Sequence, residues 1–341
     1  MGHYEPVNKD DDSFFSPLIG QSQAISLLIH AVRSQRIAPA YLFAGPDGVG
    51  RSLAARCLAA LLLSRLEAVP SAALDRRIQE RNHPDLLWVE PTYLHQSKRL
   101  SAREAMAAGI QPKSPPLVRL EQIREIGQFL ARSPLQSDRF VVVIEGSETM
   151  PEGAANGLLK TLEEPGQATL ILIAPGIESL LPTLVSRCQR IPFYRLPQTE
   201  MQEILTRSDY SEILQVPEIL HLAQGSPGAA IAHWQKLQAL SDDLLQQLLQ
   251  PPDSVRQALT LARQIDQTLA PDMQRWLIDY LQQRYWRLEV TPSNLRTLNL
   301  KPLRSLEQAR EFLHRNVQPR LVWEVTLLGM VQPWQSRQGE Q

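Results

Sequence analysis

Cysteine is nearly absent from this 341-residue sequence: only Cys57 and Cys188 occur. That excludes a disulfide framework and a four-cysteine zinc site. Cys57 falls in an apolar helical stretch, where burial is the expected role. No apolar run is long enough to span a bilayer, so no membrane role is expected. The N-terminus has no apolar core and carries Asp10, Asp11 and Asp12 instead, so no secretory signal is read there and a cytoplasmic location is expected. The net charge of −1 gives no global attraction to nucleic acid or to an anionic surface. No repeat period is visible, which argues against a solenoid.

The length predicts two or three domains, and 43% hydrophobic and 21% charged residues are ordinary for a globular chain. Residues 1–13 read as loosely held. From there to residue 195, short apolar runs alternate with helical patterns. Phe140–Ile144 and Thr169–Ala174 are unbroken apolar runs, the mark of strands buried on both faces. Further strands are read at Tyr41–Phe43, Asp85–Val89 and Arg190–Phe193. Helices are read at Ile25–Val32, Leu53–Leu63, Leu120–Ala131, Ala154–Leu162 and near Ser179–Val185. That alternation predicts a parallel α/β sheet with helical crossovers. The polar, basic stretch 94–117 reads as a long surface loop. After Phe193 the strand signal ends. Residues 196–240 read as a small helical unit with a break at Gly225-Ser226-Pro227-Gly228, and 241–341 as a helical bundle. In that bundle Ser305 with Gln308 reads as a capping box, and Leu321, Val325 and Leu328 share a face of a helix opened by Pro319.

The stretch with the most chemistry is Gly45-Pro46-Asp47-Gly48-Val49-Gly50-Arg51-Ser52, placed between a strand and a helix. This is the frame of a phosphate-binding loop, whose backbone N–H groups and helix N-terminus attract phosphate oxygens. Ser52 holds the position whose hydroxyl reaches Mg²⁺. Arg51 stands where lysine is usual, and its planar fork does not replace a flexible ammonium. Hydrolysis also needs an acidic pair after a central strand, one carboxylate for Mg²⁺ and the next to polarise water. Glu145 follows the 140–144 run and fits the first role. Gly146 occupies the second and has no side chain, which favours the plainer reading of an acidic turn; Glu148 lies too far along. Arg187, within Ser186-Arg187-Cys188, has two readings: a solvated cation, or a side chain reaching phosphate on a neighbouring subunit. His83 has no second ligand at metal spacing.

Taken together, these stretches resemble the clamp-loader branch of the AAA+ family. The match runs in order through Ile19-Gly20-Gln21, Ala40-Tyr41-Leu42-Phe43, the altered loop, His83-Pro84-Asp85 and Ile123-Arg124. It continues through the helix from Asn156 to Leu162-Glu163-Glu164-Pro165, Ser186-Arg187-Cys188, Gly225–Gly228 and Asn316–Leu321. The resemblance implies a RecA-like AAA+ parallel-sheet module (1–195), a small helical lid (196–240) and a C-terminal helical collar domain (241–341). It implies a hetero-pentamer with ATPase subunits and a delta subunit, acting with a sliding clamp on primer-template DNA as part of a replicative polymerase. It further implies that Arg187, with Ser186, serves as an arginine finger in trans. ATP-hydrolysing relatives have lysine at the Arg51 position, an Asp-Glu pair at Glu145-Gly146 and a lid arginine near Gly228. All three are altered here, so no ATPase activity of its own and no required cofactor are expected. ATP or ADP in the loop stays open, as does the alternative of a hydrolysing subunit with a variant loop. The zinc module of many relatives is missing; residues 65–82 are expected to form a helical connection, without metal.

Overall fold

The computed structural model describes residues 11–64, 71–96, 98–110, 114–289, 300–315 and 317–331. The chain divides into two compact units, Met1–Met201 and Gln202–Gln341.

The first unit carries α1 (Ser22–Arg33), β1 (Ala40–Ala44), α2 (Arg51–Leu63), α3 (Ala72–Gln79), β2 (Leu86–Val89), β3 (Tyr93–His95) and β4 (Lys98–Leu100). It continues with α4 (Ala102–Ala107), α5 (Leu120–Leu130), β5 (Phe140–Ile144), α6 (Glu152–Glu163), β6 (Ala168–Ala174), α7 (Pro182–Val185) and β7 (Gln189–Pro192). Five strands form one parallel sheet in the order β2-β5-β6-β1-β7. Every residue of β5 and β6 is buried, because helices cover both faces. Along β5, Val141 and Val143 face one core, with α1 and α2. Phe140, Val142 and Ile144 face the other, with α5 and α6. The period of two expected of a strand is therefore present, but hidden in the sequence because both faces are apolar. The expected RecA-like parallel-sheet module is what forms.

Two local expectations in this unit need correction, and a third holds over the residues described. Residues 11–13 are not loose: Asp11–Phe15 forms a 3-10 helix that buries Asp11, Phe14 and Phe15, and the Asp11 carboxylate accepts from Arg33 Nε at 3.1 Å. Residues 1–10 lie outside the described residues. The 94–117 stretch is not a plain loop: β3 and β4 pair antiparallel and α4 follows, opened by a capping box of Ser101 and Glu104. Of the 65–82 connection, 72–79 is α3 and 65–70 lies outside the described residues.

In the second unit α8 (Gln198–Arg207), which crosses the boundary, is followed by α9 (Pro217–Ala223), α10 (Pro227–Gln238), α11 (Asp242–Leu248), α12 (Val255–Thr268), α13 (Pro271–Glu289), α14 (Lys301–His314) and α15 (Pro319–Met330). The Gly225–Gly228 break is a helix start. Ser226 accepts from Ala229 N at 3.1 Å as N-cap, and Pro227 takes the first helical position, where its missing N–H costs nothing. α13 ties the unit together. Trp276 Nε1 donates to His233 Nδ1 on α10 at 3.0 Å, Arg284 and Arg287 reach the buried Glu218 of α9, and Tyr285 donates to the Leu248 carbonyl.

Ser305 is not a cap, because α14 already starts at Lys301 with Pro302 in its first turn. The face shared by Leu321, Val325 and Leu328 on α15 is the outer one. Leu321 and Val325 are 50% and 55% exposed, whereas Val322, Trp323, Leu327 and Met330 are buried. The buried Trp323 donates to Gln274 Oε1 at 2.8 Å, which satisfies the indole N–H inside the core.

Candidate functional site

Parallel strands give the sheet two unlike edges. The 45–50 loop leaves the carboxyl end of β1, and Glu145 leaves the carboxyl end of β5, so both lie on the edge where open α/β sheets bind ligands. Arg187 precedes the amino end of β7. Because β7 pairs with β1 from Tyr41↔Gln189 to Ala44↔Pro192, Arg187 stands at the opposite edge from the loop. Four strand residues at about 3.3 Å each put roughly 13 Å between the two edges. The candidate residues thus fall into two groups.

At the carboxyl edge the loop has the expected shape. Gly50 adopts φ 108°, a backbone conformation that L side chains rarely adopt, so the turn favours glycine there. Gln21 holds the loop from below: its Nε2 donates to the Val49 carbonyl at 3.2 Å and the Tyr194 carbonyl at 2.6 Å, while its Oε1 accepts from Tyr194 N.

The charges around the loop are consumed within the chain. Arg51 is only 8% exposed and folds back to pair with Asp47 inside the loop itself. Its Nη1 is buried without a hydrogen-bond partner, a costly state for a guanidinium nitrogen. Ser52 Oγ donates to Glu145 Oε1 at 2.5 Å, so the structure brings these two candidates together. The other oxygen, Oε2, accepts from Trp88 Nε1 at 3.0 Å and lies 3.7 Å from Arg81 Nη2. Glu148 is shifted above the ordinary carboxylate range, chiefly by burial and further by the negative charge of Asp47.

Whether this set suits a magnesium-nucleotide can be judged from its donors. Mg²⁺ needs oxygen ligands free to turn toward it, with phosphate completing the shell. Here both oxygens of Glu145 and the Ser52 hydroxyl are engaged, a cation already sits near Glu145, and Asp47 occupies the guanidinium. Gly146 adds a stricter limit. It adopts φ 61°, and a Cβ there would fall 2.6 Å from Pro91 Cγ. A water-polarising carboxylate there would be strained by the backbone and would press on Pro91, in addition to the residue type being wrong. Ser52 and Glu145 thus stand together without a water-polarising carboxylate at position 146. Among the described residues no group of three His, Cys, Asp or Glu side chains is placed to hold a metal ion.

At the amino edge, Arg187 is 37% exposed on its side chain. Its Nη2 donates to Glu163 Oε1 at 2.7 Å and its Nη1 to the Thr183 carbonyl at 3.0 Å. Ser186 uses its hydroxyl to satisfy the same carbonyl, a helix-end role for α7. Burial pushes the Cys188 thiol up to about 11 and the Cys57 thiol up to about 12, so neither is a nucleophile near neutrality.

Sequence reasoning missed the group that builds this edge. Asp85 is fully buried and accepts from the backbone N–H groups of Leu135, Gln136 and Ser137 at 2.7, 2.8 and 2.8 Å. Burial opposes its ionisation, but the three N–H donors outweigh burial and hold the carboxyl below the ordinary range. His83 Nδ1 accepts from Asp85 N at 3.2 Å, and burial, followed by Arg77, lowers the imidazole pKa. The sequence put Asp85 at the start of a strand; its long-range partners were not legible. Trp88 and Arg81, which engage Glu145, carried no signal in the sequence.

A phosphate-loop frame at the carboxyl edge of a parallel sheet, followed by a unit that is helical among its described residues, fits an AAA+ module of the clamp-loader class, and the family matches show that class. The chain belongs to the family described as "DNA polymerase III, delta subunit", which matches residues 20–197. Residues 199–330 match the "Cyanobacterial DNA polymerase III delta prime, C-terminal domain". Two relatives carry the name DNA polymerase III subunit delta'. The Bacillus subtilis protein is 32% identical over 195 residues, covering 56% of this chain and 53% of that protein. The Pseudomonas aeruginosa protein is 33% identical over 199 residues, covering 56% and 54%. The matched region thus spans about half the length of these curated relatives. A solved structure of a DNA polymerase III gamma subunit-related protein from Thermotoga maritima aligns over 90% of this chain and 97% of that one, with 17% identity and a TM-score of 0.49.

Proposed function

We propose that this chain is a non-hydrolysing clamp-loader subunit that lends Arg187 to the ATP site of an adjacent ATPase subunit. The observation that carries this reading is the placement of Arg187 across the sheet from the chain's own loop, paired with its register on β7. A cation roughly 13 Å of strand away from its own loop is out of place for phosphate held there, and its surface position suits an anion brought by another chain. The Gly146 geometry supports the non-hydrolysing half of the reading, since nothing at that position can orient an attacking water.

In this reading the chain works in a cytoplasmic hetero-pentamer with ATPase subunits and a delta subunit, and the assembly places a sliding clamp on primer-template DNA. Residues 196–240 serve as lid and 241–341 as collar. The DNA contact is to phosphates and carries no base readout.

The test is clamp- and DNA-stimulated ATP turnover in a reconstituted loader, with the isolated chain as blank. A silent blank and an Arg187→Ala loader slowed about 10³-fold is the expected result. An active blank, or an unchanged Arg187→Ala loader, defeats the reading. One observation favours a second reading, an ATPase with a variant loop: Ser52 and Glu145 do meet, as two magnesium ligands would. That reading requires turnover by the isolated chain that falls on Arg51→Ala.

A further inference from the structure

The anion that Arg187 faces in the free chain is one of its own. Glu163 is the last residue of α6, where unpaired carbonyls already give negative potential. A carboxylate is unfavourable there unless a cation stands beside it, and Arg187 is that cation, at 2.7 Å. The guanidinium also donates to Thr183 near the end of α7. Arg187 therefore sits against two helix ends, with Nη1 and Nη2 both engaged by oxygen. These are the N–H groups with which an arginine fork would grip phosphate. Yet the pair is exposed, 37% and 53% on its two side chains, so water screens it and it exchanges readily. The contact is too weak to be a permanent brace and correctly placed to be a temporary one.

We infer that Glu163 is a built-in competitor for the finger: it occupies Arg187 until a phosphate group of a nucleotide held by another chain displaces it. The inference rests on the proposed function and adds a residue to it. Once Arg187 has left Glu163, the carboxylate is displaced in the ground state and in the transition state alike. Its removal therefore acts as uniform binding does, on KM and not on kcat.

The experiment compares full-length Glu163→Gln, Glu164→Gln and Arg187→Ala in the reconstituted loader, titrating ATP at saturating clamp and primer-template DNA. Glu164→Gln removes the same charge one residue away and controls for a general electrostatic effect. Assembly of each variant is checked by gel filtration. For Glu163→Gln the expected result is an ATP concentration at half-maximal rate about two- to fivefold lower, at unchanged kcat, while Glu164→Gln matches the parent. If Arg187→Ala collapses the rate but Glu163→Gln matches either the parent or Glu164→Gln, the competitor role is overturned and the proposed function stands. A lower kcat with unchanged KM in Glu163→Gln also overturns it, because the carboxylate would then be orienting the finger. An Arg187→Ala loader with full activity removes both.

Discussion

The carboxyl and amino edges of one parallel sheet hold their charges in opposite ways. At the carboxyl edge Arg51, Ser52 and Glu145 are locked to Asp47, Trp88 and one another, with Arg81 close by. At the amino edge Arg187 is held at the surface by one screened pair and one carbonyl. The first arrangement pairs a nearly buried arginine; the second pairs its arginine at the surface, where anything more anionic than Glu163 can compete for it. On the proposed function, retention of a fold and retention of a working site are separable. The same strands that keep the loop in shape also present an arginine at their far end.

The sharpest way to break this contrast is to substitute one arginine at each edge. Arg187→Ala is expected to slow the loader about 10³-fold, while Arg51→Met leaves its turnover unchanged. Equal losses would mean that the two edges do not differ in function.

Next in size is an attempt to restore the lost carboxylate. Gly146→Glu is expected to destabilise the chain by roughly 3 kcal/mol, from its left-handed backbone and the approach to Pro91. The isolated variant should still not turn over ATP. Urea unfolding together with an ATPase assay reads both parts, and turnover without destabilisation would show that the position is merely empty.

A smaller effect separates the edges by pH. Asp85 has a folded pKa below its unfolded value of about 3.9, so its stabilising contribution is complete above that value. The contribution is lost as pH falls through the folded pKa. Thermal unfolding between pH 5 and 2 should show this acid slope in the parent and a flatter one in Asp85→Asn.

The smallest effect belongs to the loop. Arg51→Met removes a buried guanidinium whose Nη1 is unpartnered, and is expected to change stability by less than about 1 kcal/mol. A large loss in urea unfolding would show that the Asp47 pair braces the loop.

What the sequence disclosed follows from what is local. Strand, loop and helix from Tyr41 to Leu63 were legible because turn glycines and an apolar run are neighbours in the chain. Glu145 was legible as a candidate, but its engagement by Trp88 and Arg81 depends on two segments that only folding brings together. Gly146 could be read as a missing carboxylate; that its backbone is left-handed could not. On α15 the periodicity of Leu321, Val325 and Leu328 was real, but the opposite face carries Val322, Trp323 and Leu327. Periodicity cannot choose between two apolar faces. Packing chose the one holding the tryptophan.

The strand order has a consequence for how this protein is made. β1, which carries the loop, pairs only with β6 and β7, and residues 45–167 separate its end from the start of β6. At about 5–20 residues per second of synthesis, β1 stays unpaired for several seconds or more after it is made. During that interval Tyr41, Leu42 and Phe43 are an apolar segment with both ribbon edges bare, open to any passing strand. A nascent chain stalled short of residue 192 keeps at least one of those edges open. For this protein, the ribosome's progress through the second half of the sheet sets the moment at which the first half becomes safe.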